Sequence, residues 1–262
     1  MQRLSVVIVC KNGAKVIGET IRSFSGVTDD ILIYDNGSTD GTKEIVRQTG
    51  SNFVEGVWEG FGKTKNKATA MAKYDWILSI DADEAIDEEL KENLLELDLA
   101  DENKVFEFRF KNFLGNKWLR FGEWGDDKHI RLFNRKKIRW NDADVHESLL
   151  LPADVKVIHV PGFVLHRTAA SYHDYENKME NYAKLNADKY FKQQKSSGSL
   201  KMFFSASFSF VKNYFFKLGF LDGVTGYHCA RINARYTFLK YKKLNELNQQ
   251  SVTHSSQTGK TS

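Results

Sequence analysis

Two carboxylates, Asp81 and Asp83, follow directly on an apolar run in the segment Leu78–Glu84, which reads LSIDADE. Where a strand ends, residues i and i+2 can both face the carboxyl edge of a parallel sheet, which is where α/β folds bind ligands. Carboxylates gathered there repel one another unless a positive group is bound. A hard divalent ion such as Mg²⁺ or Mn²⁺, bridging to a diphosphate, would resolve that conflict. The alternative is a solvated acidic turn that caps the helix predicted to start near Asp87.

Two further apolar runs also end in polar residues. The run Ile31–Tyr34 is followed by Asp35 and a turn of Gly, Ser and Thr, and the run that opens the chain ends in Lys11, Asn12 and Gly13. Asp35 is placed to accept hydrogen bonds from a ribose or a base edge. These turns contain no GxGxxG and no Walker A motif, so they do not indicate a dinucleotide fold or a P-loop. Three polar strand ends at one predicted sheet edge favour a ligand site over three unrelated turns.

The elements that must position these residues alternate between short β-branched runs and helical ones, which is typical of βαβ units around a mostly parallel sheet. After about residue 104 the pattern changes to strand-like pieces, which predict an antiparallel or mixed edge. From Tyr172 to about Leu247 the pattern is helical. The predicted strands are Leu4–Val9, Ile31–Tyr34, Asn52–Glu55, Trp76–Ile80, Val105–Phe110, His129–Phe133 and Val155–Val160, and the predicted early helices are Lys15–Phe24, Thr42–Thr49, Lys65–Lys73 and Asp87–Leu97.

The composition of the chain fits a folded globular protein. Its 262 residues are 41% hydrophobic and 27% charged, which excludes collagen-like, low-complexity and disordered classes. The two cysteines, Cys10 and Cys229, lie far apart without a CxxC motif, so we expect no disulfide framework or thiolate zinc site and a reducing compartment. The N-terminal apolar run is too short for a signal peptide. We therefore expect a cytoplasmic protein.

The charge is distributed unevenly along the chain. Residues 1–170 carry 24 Lys/Arg and 28 Asp/Glu, whereas residues 171–262 carry 14 and 6. The basic part also mixes phenylalanines with lysines over residues 200–243, a composition that suits the surface of an anionic membrane at the inner face of the cytoplasmic membrane. The alternative is that these phenylalanines cover the core. We recognise no nucleic-acid-binding module, so nucleic acid is not an expected partner.

An ordered set of segments resembles the inverting family 2 glycosyltransferases with the GT-A fold, and within them the lipopolysaccharide core β-1,4-glucosyltransferase branch. The similarity runs from about residue 4 to about residue 247. The segments are SVVIVCKNG, DNGSTDGT, FGKTKNKA, LSIDADE, Trp124–Asp127, Ile130–Phe133, Val145–Glu147, Leu165-His166 and Gly219–Gly223.

The resemblance implies a fold and a donor site. The fold is an α/β, GT-A type, Rossmann-like, mostly parallel sheet with flanking helices and a C-terminal helical, basic-aromatic extension. We expect a nucleotide-sugar-binding and catalytic domain over 1–167, a helical region over 168–250 that associates with a membrane, and a disordered tail over 251–262. Asp35, with Asn12 nearby, would recognise the nucleoside, and Asp81 would contact the ribose or the sugar.

The remaining implied roles concern the metal and the phosphates. Asp83 would hold Mg²⁺ or Mn²⁺ on the diphosphate, and the late histidine His166 would complete the metal site. Lys65 would face the phosphates or the donor sugar; the alternative for it is a solvated helix residue.

An inverting transfer also needs a base that takes the proton of the acceptor hydroxyl. The resemblance makes Asp127 the first choice, because the family carries an acid before an Arg-containing strand. Glu147 is the second choice, and Asp126 lies as close in sequence as Asp127. The alternative for each acid is a structural pair with an arginine such as Arg131 or Arg135.

The expected activity is a metal-dependent, inverting transfer of a sugar from a nucleotide-diphosphate donor. The donor is expected to be a UDP-linked hexose such as glucose, and the acceptor a saccharide or a lipid-linked saccharide in bacterial surface polysaccharide or lipopolysaccharide assembly. One alternative is a nucleotidyltransferase that makes the nucleotide sugar, although the segment Lys11–Ala14 matches its Gly-rich phosphate loop poorly. The other is a sugar-binding relative without activity.

Overall fold

The computed structural model of the chain describes residues 1–142 and 147–258, with side chains as far as Ser251. It divides the chain into two compact units. The first unit comprises residues 1–112 and 126–167, and the second comprises residues 113–125 and 168–262.

The first unit begins with an alternation of strands and helices. These elements are β1 (Leu4–Cys10), α1 (Ile17–Ser23), β2 (Ile31–Asp35), α2 (Thr42–Thr49), β3 (Asn52–Glu55), α3 (Phe61–Ala70) and β4 (Trp76–Asp81). The four strands lie in the order β3-β2-β1-β4 and pair in parallel. Every element predicted from the alternation in this part of the chain is present, with ends that differ by at most a few residues.

The sheet continues with antiparallel pairs. The following elements are β5 (Glu84–Ile86), α4 (Glu88–Leu95), β6 (Lys104–Leu114), β7 (Lys117–Leu119), β8 (Lys128–Asn134), β9 (Arg139–Trp140), β10 (Leu149–Leu150) and β11 (Lys156–Ala169). Beyond β4 the order is β8-β6-β11-β5, and β8 pairs antiparallel with both β4 and β6. Strands β9 and β10 pair with each other in a separate two-stranded sheet. The predicted α/β fold with a parallel half and an antiparallel edge is confirmed.

Strand β11 is longer than the predicted strand Val155–Val160. The strand includes Pro161, although proline cannot donate a hydrogen bond to a sheet ladder. The strand passes this point with a bend at Gly162, whose φ of +96° is favourable only for glycine. A Cβ at Gly162 would also lie 2.2 Å from the backbone nitrogen of Leu90. The continuation pairs antiparallel with β5 and sets His166 opposite Glu84.

The core of the first unit lies on the inner faces of these strands. The parallel strands read as continuous apolar runs, as expected for strands that are covered on both faces. Ile8, Ile33 and Leu78 are completely or almost completely buried at the centre of this core. Helix α4 begins at its cap Asp87, whose Oδ1 accepts a hydrogen bond from the Leu90 N–H at 3.0 Å. The cap of α4 is therefore Asp87, and neither Asp81 nor Asp83 fills this role.

The second unit is mainly helical. Its helices are α5 (Tyr172–Lys192), α6 (Ser199–Val211) and α7 (Gly223–Thr258), with a π-helical turn over Lys212–Phe216 and a 3₁₀ turn over Gly219–Asp222. Its core includes Leu119, Tyr175 and Ile232. No helix of the described ranges is both long and apolar enough to span a bilayer.

The second unit differs from the expected domain bounds in two places. Residues 113–125, which we expected in the first domain, belong to the second unit. Their attachment is the buried carboxylate of Asp222, which accepts the backbone N–H groups of Arg120 (3.0 Å) and Phe121 (2.9 Å). Helix α7 continues to Thr258, so the backbone of 251–258 is helical where we expected a disordered tail, and residues 259–262 lie outside the described ranges.

Candidate functional site

The ends of β1, β2 and β4 meet at one edge of the sheet. In the parallel register, Cys10 lies beside Asp35, and Val9 lies beside Asp81. This edge is formed by the carboxyl ends of the strands, where open α/β sheets bind ligands. The three polar strand ends that the sequence indicated are therefore neighbours in the structure.

Asn12 and Asp35 belong to one hydrogen-bonded loop structure. The buried Asp35 accepts the backbone N–H groups of Gly37 (3.1 Å) and Ser38 (2.8 Å) at Oδ2, and the hydroxyl of Ser38 at Oδ1. Ser38 in turn accepts the backbone N–H of Asn12 at 2.7 Å, and the side-chain oxygen of Asn12 accepts the N–H of Thr39 at 2.9 Å. These contacts fix the loop after β2, and the recognition of a nucleoside by either side chain stays a prediction.

A cleft of about 350 Å³ opens beside this loop. Its wall includes Cys10, Asn36 and Lys65, together with the aromatic residues Trp58 and Phe61. The two aromatic rings pack edge to face with their centroids 4.6 Å apart, and Trp58 is 43% exposed. Exposed aromatic faces can stack on a planar heterocycle. The cleft thus combines a stacking surface with the polar ends of β1 and β4.

Lys65 extends from α3 to the end of β4. Its ammonium lies 3.1 Å from Asp81 Oδ1 and 2.8 Å from Glu147 Oε1, over the ring of Trp140 at 4.7 Å. Burial acts to lower the pKa of Lys65, but Asp81 and Glu147 outweigh it and raise the pKa above its ordinary value. Lys65 is 5% exposed, so the alternative of a solvated helix residue is wrong.

Arg131 on β8 is the second buried cation. Its Nη2 pairs with Asp81 Oδ2 at 3.2 Å and with Glu84 Oε1. Burial acts to raise the pKa of Asp81, yet Lys65 and Arg131 together hold it well below its usual range. Burial raises the pKa of Glu84 despite the opposing effect of Arg131. Asp81 is therefore a carboxylate fixed between two cations, with 39% of its side chain still exposed.

Asp83 faces His166 at the turn between β4 and β5. The Oδ2 atom of Asp83 lies 3.5 Å from Nε2 of His166, and both side chains are partly buried. The other ring nitrogen of His166, Nδ1, lies 2.7 Å from the side-chain oxygen of Asn112. The antiparallel pairing of β11 with β5 produces this approach. The two residues that the resemblance assigned to the metal therefore lie together.

Asn112 joins His166 to the candidate base. It is completely buried on β6, and its amide nitrogen donates to Asp127 Oδ2 at 2.9 Å. This contact identifies the oxygen as the end of the amide that faces His166, so Nδ1 of His166 donates a hydrogen bond to that oxygen. Asn112 therefore links the pair of Asp83 and His166 to Asp127.

Asp127 and Asp126 have different surroundings. Asp127 is partly buried and accepts from His129 Nε2 at 2.9 Å as well as from Asn112. Burial acts to raise the pKa of Asp127, but His129 and Asn112 outweigh it and lower the pKa. Asp126 is 71% exposed and pairs only with Lys128 among the described contacts. Asp127 is therefore ionised at neutral pH and is held within the cluster.

The site carries more negative than positive charge. Its carboxylates are Asp81, Asp83, Glu84, Asp127 and Glu147, and its permanent cations are Lys65 and Arg131. A divalent ion would offset this excess, and carboxylate oxygens are the ligands that Mg²⁺ and Mn²⁺ prefer. Among the described residues, no three His, Cys, Asp or Glu side chains form a complete metal cage. Asp83 and His166 are two side chains of this site that could hold such an ion.

Sequence analysis singled out most of these residues but missed three parts of the arrangement. It did not identify Asn112, the pairing of His129 with Asp127, or the aromatic wall of Trp58 and Phe61. It treated Arg131 only as a structural partner for an acid. Val145 and His146, which belong to one of the segments of the resemblance, lie outside the described residues.

We expect Arg131→Met to lower the free energy of unfolding by about 3–5 kcal/mol, because it leaves the buried Glu84 and the fixed Asp81 without their shared cation. Urea denaturation followed by circular dichroism would measure this loss. The control is Lys73→Met, which removes an exposed ion pair with Asp29 and should change the free energy of unfolding far less than Arg131→Met does.

A second substitution tests the cause of that loss. Adding Glu84→Gln to Arg131→Met should recover part of the stability, because the uncompensated buried charge is gone. A cost for Arg131→Met no larger than that for Lys73→Met would contradict the buried electrostatic pairing.

Comparison with known proteins places the chain in a family. The sequence model described as "Glycosyl transferase family 2" matches residues 5–151. An uncharacterized glycosyltransferase, RT0209 of Rickettsia typhi, is 28% identical over 96% of this chain and 89% of its own length. The lipopolysaccharide core biosynthesis glycosyltransferase LpsC of Rhizobium meliloti is 28% identical over 92% of this chain and 91% of its own length. The crystal structure of S. aureus TarS 1–349 in complex with UDP is 18% identical, with a TM-score of 0.44, over 95% of this chain and 92% of that chain. The family match covers more than half of the residues, and the chain belongs to glycosyltransferase family 2.

Proposed function

We propose that this glycosyltransferase transfers a hexose from a UDP-linked donor to a hydroxyl of a saccharide or lipid-linked saccharide, with inversion and with the help of a divalent metal. The observation that carries this proposal is the chain of contacts Asp83–His166–Asn112–Asp127. It brings two fitting metal ligands and an ionised carboxylate together at the ligand-binding edge of the sheet. A donor diphosphate and an acceptor hydroxyl need these two kinds of group close together.

The nucleoside is proposed to bind in the cleft beside β1 and β2. The exposed ring of Trp58 offers a stacking face for the base, and the loop held by Asn12 and Asp35 borders the same strand ends. The carboxylate oxygens of Asp35 accept hydrogen bonds from this loop. Asp35 would therefore influence nucleoside binding partly by positioning the loop backbone. Asp81 retains an exposed part through which it can accept a hydrogen bond from the ribose or the sugar.

The diphosphate is proposed to lie between the cleft and Asp83. Asp83 and His166 would hold Mn²⁺ or Mg²⁺, which neutralises the charge that develops on the leaving diphosphate. Lys65 lines the same cleft, and its high pKa keeps it cationic. Because Lys65 is held by Asp81 and Glu147, it adds a fixed positive charge near the phosphates without moving.

Asp127 is the proposed base. The acceptor oxygen forms a bond to the anomeric carbon while the bond from that carbon to the diphosphate oxygen breaks, and the hydroxyl proton passes to Asp127. Asn112 and His129 hold the Asp127 carboxylate in place for this transfer. Glu147, the second choice, is engaged by Lys65 at 2.8 Å, and this ion pair favours Asp127. An α-linked donor would give a β-linked product.

The acceptor is proposed to belong to bacterial surface polysaccharide or lipopolysaccharide assembly. The similarity to LpsC over most of both chains supports this assignment. Both cysteines are buried free thiols, which fits a cytoplasmic enzyme. We further propose peripheral contact with the inner face of the cytoplasmic membrane, where a lipid-linked acceptor would be met. Family membership disfavours the nucleotidyltransferase alternative, and the complete set of acids disfavours a sugar-binding relative without activity.

Donor binding should depend on the metal. A saturating amount of UDP with Mn²⁺ should raise the melting temperature of the wild type by roughly 5 °C at 100 times the dissociation constant. Asp83→Ala should abolish the part of this shift that needs Mn²⁺, and Asp154→Ala, at an exposed acid, should retain it. A panel of nucleoside diphosphates and UDP-sugars in the same assay would name the donor. No shift with any nucleotide would refute the donor site.

Substitutions should distinguish the proposed base Asp127 from the neighbouring acid Asp126. Asp127→Asn should lower kcat by about 10²–10⁴-fold with little change in donor KM, because the amide cannot accept the acceptor proton. The control Asp126→Asn should behave like the wild type, since this exposed acid pairs only with Lys128 among the contacts of the described residues. The measurement is the rate of transfer to a saccharide acceptor, monitored through the release of UDP. Equal losses in the two variants would refute Asp127 as the base.

Two variants of Asn112 should separate the effect of its contact with His166 from the effect of its contact with Asp127. Asn112→Asp keeps an oxygen for His166 but places a carboxylate against Asp127, so kcat should fall while the Mn²⁺ requirement stays near that of the wild type. Asn112→Leu removes both contacts and should also raise the Mn²⁺ requirement by about 10–100-fold. Titration of activity with Mn²⁺ measures both effects, and melting curves check folding. The same Mn²⁺ requirement in both variants would contradict this positioning role.

A further inference from the structure

Three lysines of the second unit lie close together among tyrosine rings. Lys240 of α7 lies 4.7 Å from the ring centre of Tyr241, 5.3 Å from that of Tyr190 and 5.4 Å from that of Tyr236. Lys195 lies 4.4 Å from the same Tyr190 ring, and Lys201 lies 5.6 Å from the same Tyr241 ring. We call these three lysines, with Tyr190, Tyr236 and Tyr241, the lysine–tyrosine cluster.

The lysine–tyrosine cluster has no internal counter-charge. The ion pairs of this unit use other cations, such as Arg231 with Glu176 and Arg235 with Glu180. None of the three lysines takes part in an ion pair within the described ranges. Burial, followed by repulsion from Lys201 and Lys195, lowers the pKa of Lys240. The aromatic faces offset part of this repulsion, and an anion bound among the ammonium groups would offset the rest.

An apolar stripe runs along α6 beside the cluster. Leu200, Phe204, Phe208 and Val211 are spaced by four, four and three residues, so they share one face of the helix. Leu200 is 75% exposed, Phe204 71% and Phe208 61%, and α6 has no buried residue. Lys201 follows Leu200 directly and reaches back to Tyr241 on α7. The apolar stripe and the cationic cluster are therefore adjacent parts of one surface.

This juxtaposition selects one kind of partner. A soluble phosphate compound would use the lysines but leave the apolar stripe in water. A bilayer with anionic headgroups uses both, because phenyl rings enter the boundary of the acyl chains while lysines remain at the phosphates. Lysine is a compact point charge that binds phosphate oxygens without a fixed orientation, which suits a fluid surface.

We infer that the lysine–tyrosine cluster binds the phosphate of an anionic lipid headgroup, with the apolar stripe of α6 inserted beside it. This inference deepens the proposed function by naming the surface that meets the membrane. Only the biological role of the lipid binding rests on the proposed function. Binding to lipid needs neither donor nor metal, so it can be measured even if the proposed transfer reaction is wrong.

The experiment is sedimentation of the full-length chain with vesicles of phosphatidylcholine alone or of phosphatidylcholine mixed with phosphatidylglycerol. The wild type should bind the anionic vesicles, and binding should weaken as salt increases. The triple variant Lys195→Gln, Lys201→Gln and Lys240→Gln should bind them about tenfold or more weakly. The control removes the same charge at the exposed Lys117, Lys137 and Lys184 and should bind like the wild type.

The apolar stripe is tested separately. Phe204→Ser with Phe208→Ser should also weaken binding to anionic vesicles, and because both side chains are exposed, the melting temperature should stay near that of the wild type. Melting curves check folding of every variant.

Three outcomes would overturn the inference. They are equal losses in the two triple lysine variants, equal binding to both kinds of vesicle, and tighter binding of single-stranded RNA than of anionic vesicles. Binding of inorganic pyrophosphate without any binding to anionic vesicles would also overturn it, because the cluster would then be a site for soluble phosphate.

Discussion

The candidate site depends on two buried cations that share one carboxylate. Asp81 receives Lys65 from α3 on one oxygen and Arg131 from β8 on the other. Each cation also holds a second acid, Glu147 or Glu84. Removing these charges from water has a large desolvation free energy, which is offset only while every partner stays in place. The network therefore fixes β4, β8 and α3 relative to one another around the end of β4.

The pairing with Lys65 and Arg131 places Asp81, Asp83 and Glu84, three acids of one short segment, in different surroundings. Asp81 and Glu84 pair with buried cations, whereas Asp83 lies 3.5 Å from Nε2 of His166. The proposed divalent ion would meet carboxylates that these contacts already hold in position.

The alternation of apolar and polar residues predicts most of the parallel half of the fold and the meeting of Asp35, Asp81 and Asp83 at one edge, because strand ends and sheet order follow from local pattern. The pairing of Lys65 with Glu147, 82 residues apart, has no local signal. Asn112 does have one. Strand β6 alternates Phe106, Phe108 and Phe110 inward, and Asn112 is a polar residue at the next buried position. A buried amide in an apolar row needs partners, which could have marked it as functional.

Cys10 lines the cleft proposed for the nucleoside, and it is almost completely buried. A side chain at Gly13 would lie only 2.7 Å from its sulfur, so Gly13 is what allows the chain to close over it. Burial raises the pKa of the Cys10 thiol to about 12, and the Asp35 carboxylate adds to this increase. The thiolate is the reactive form of cysteine. Electrophilic inhibitors and mild oxidants that reach this cleft will therefore meet an unreactive thiol, and selective chemical inactivation of the enzyme must be aimed at another group.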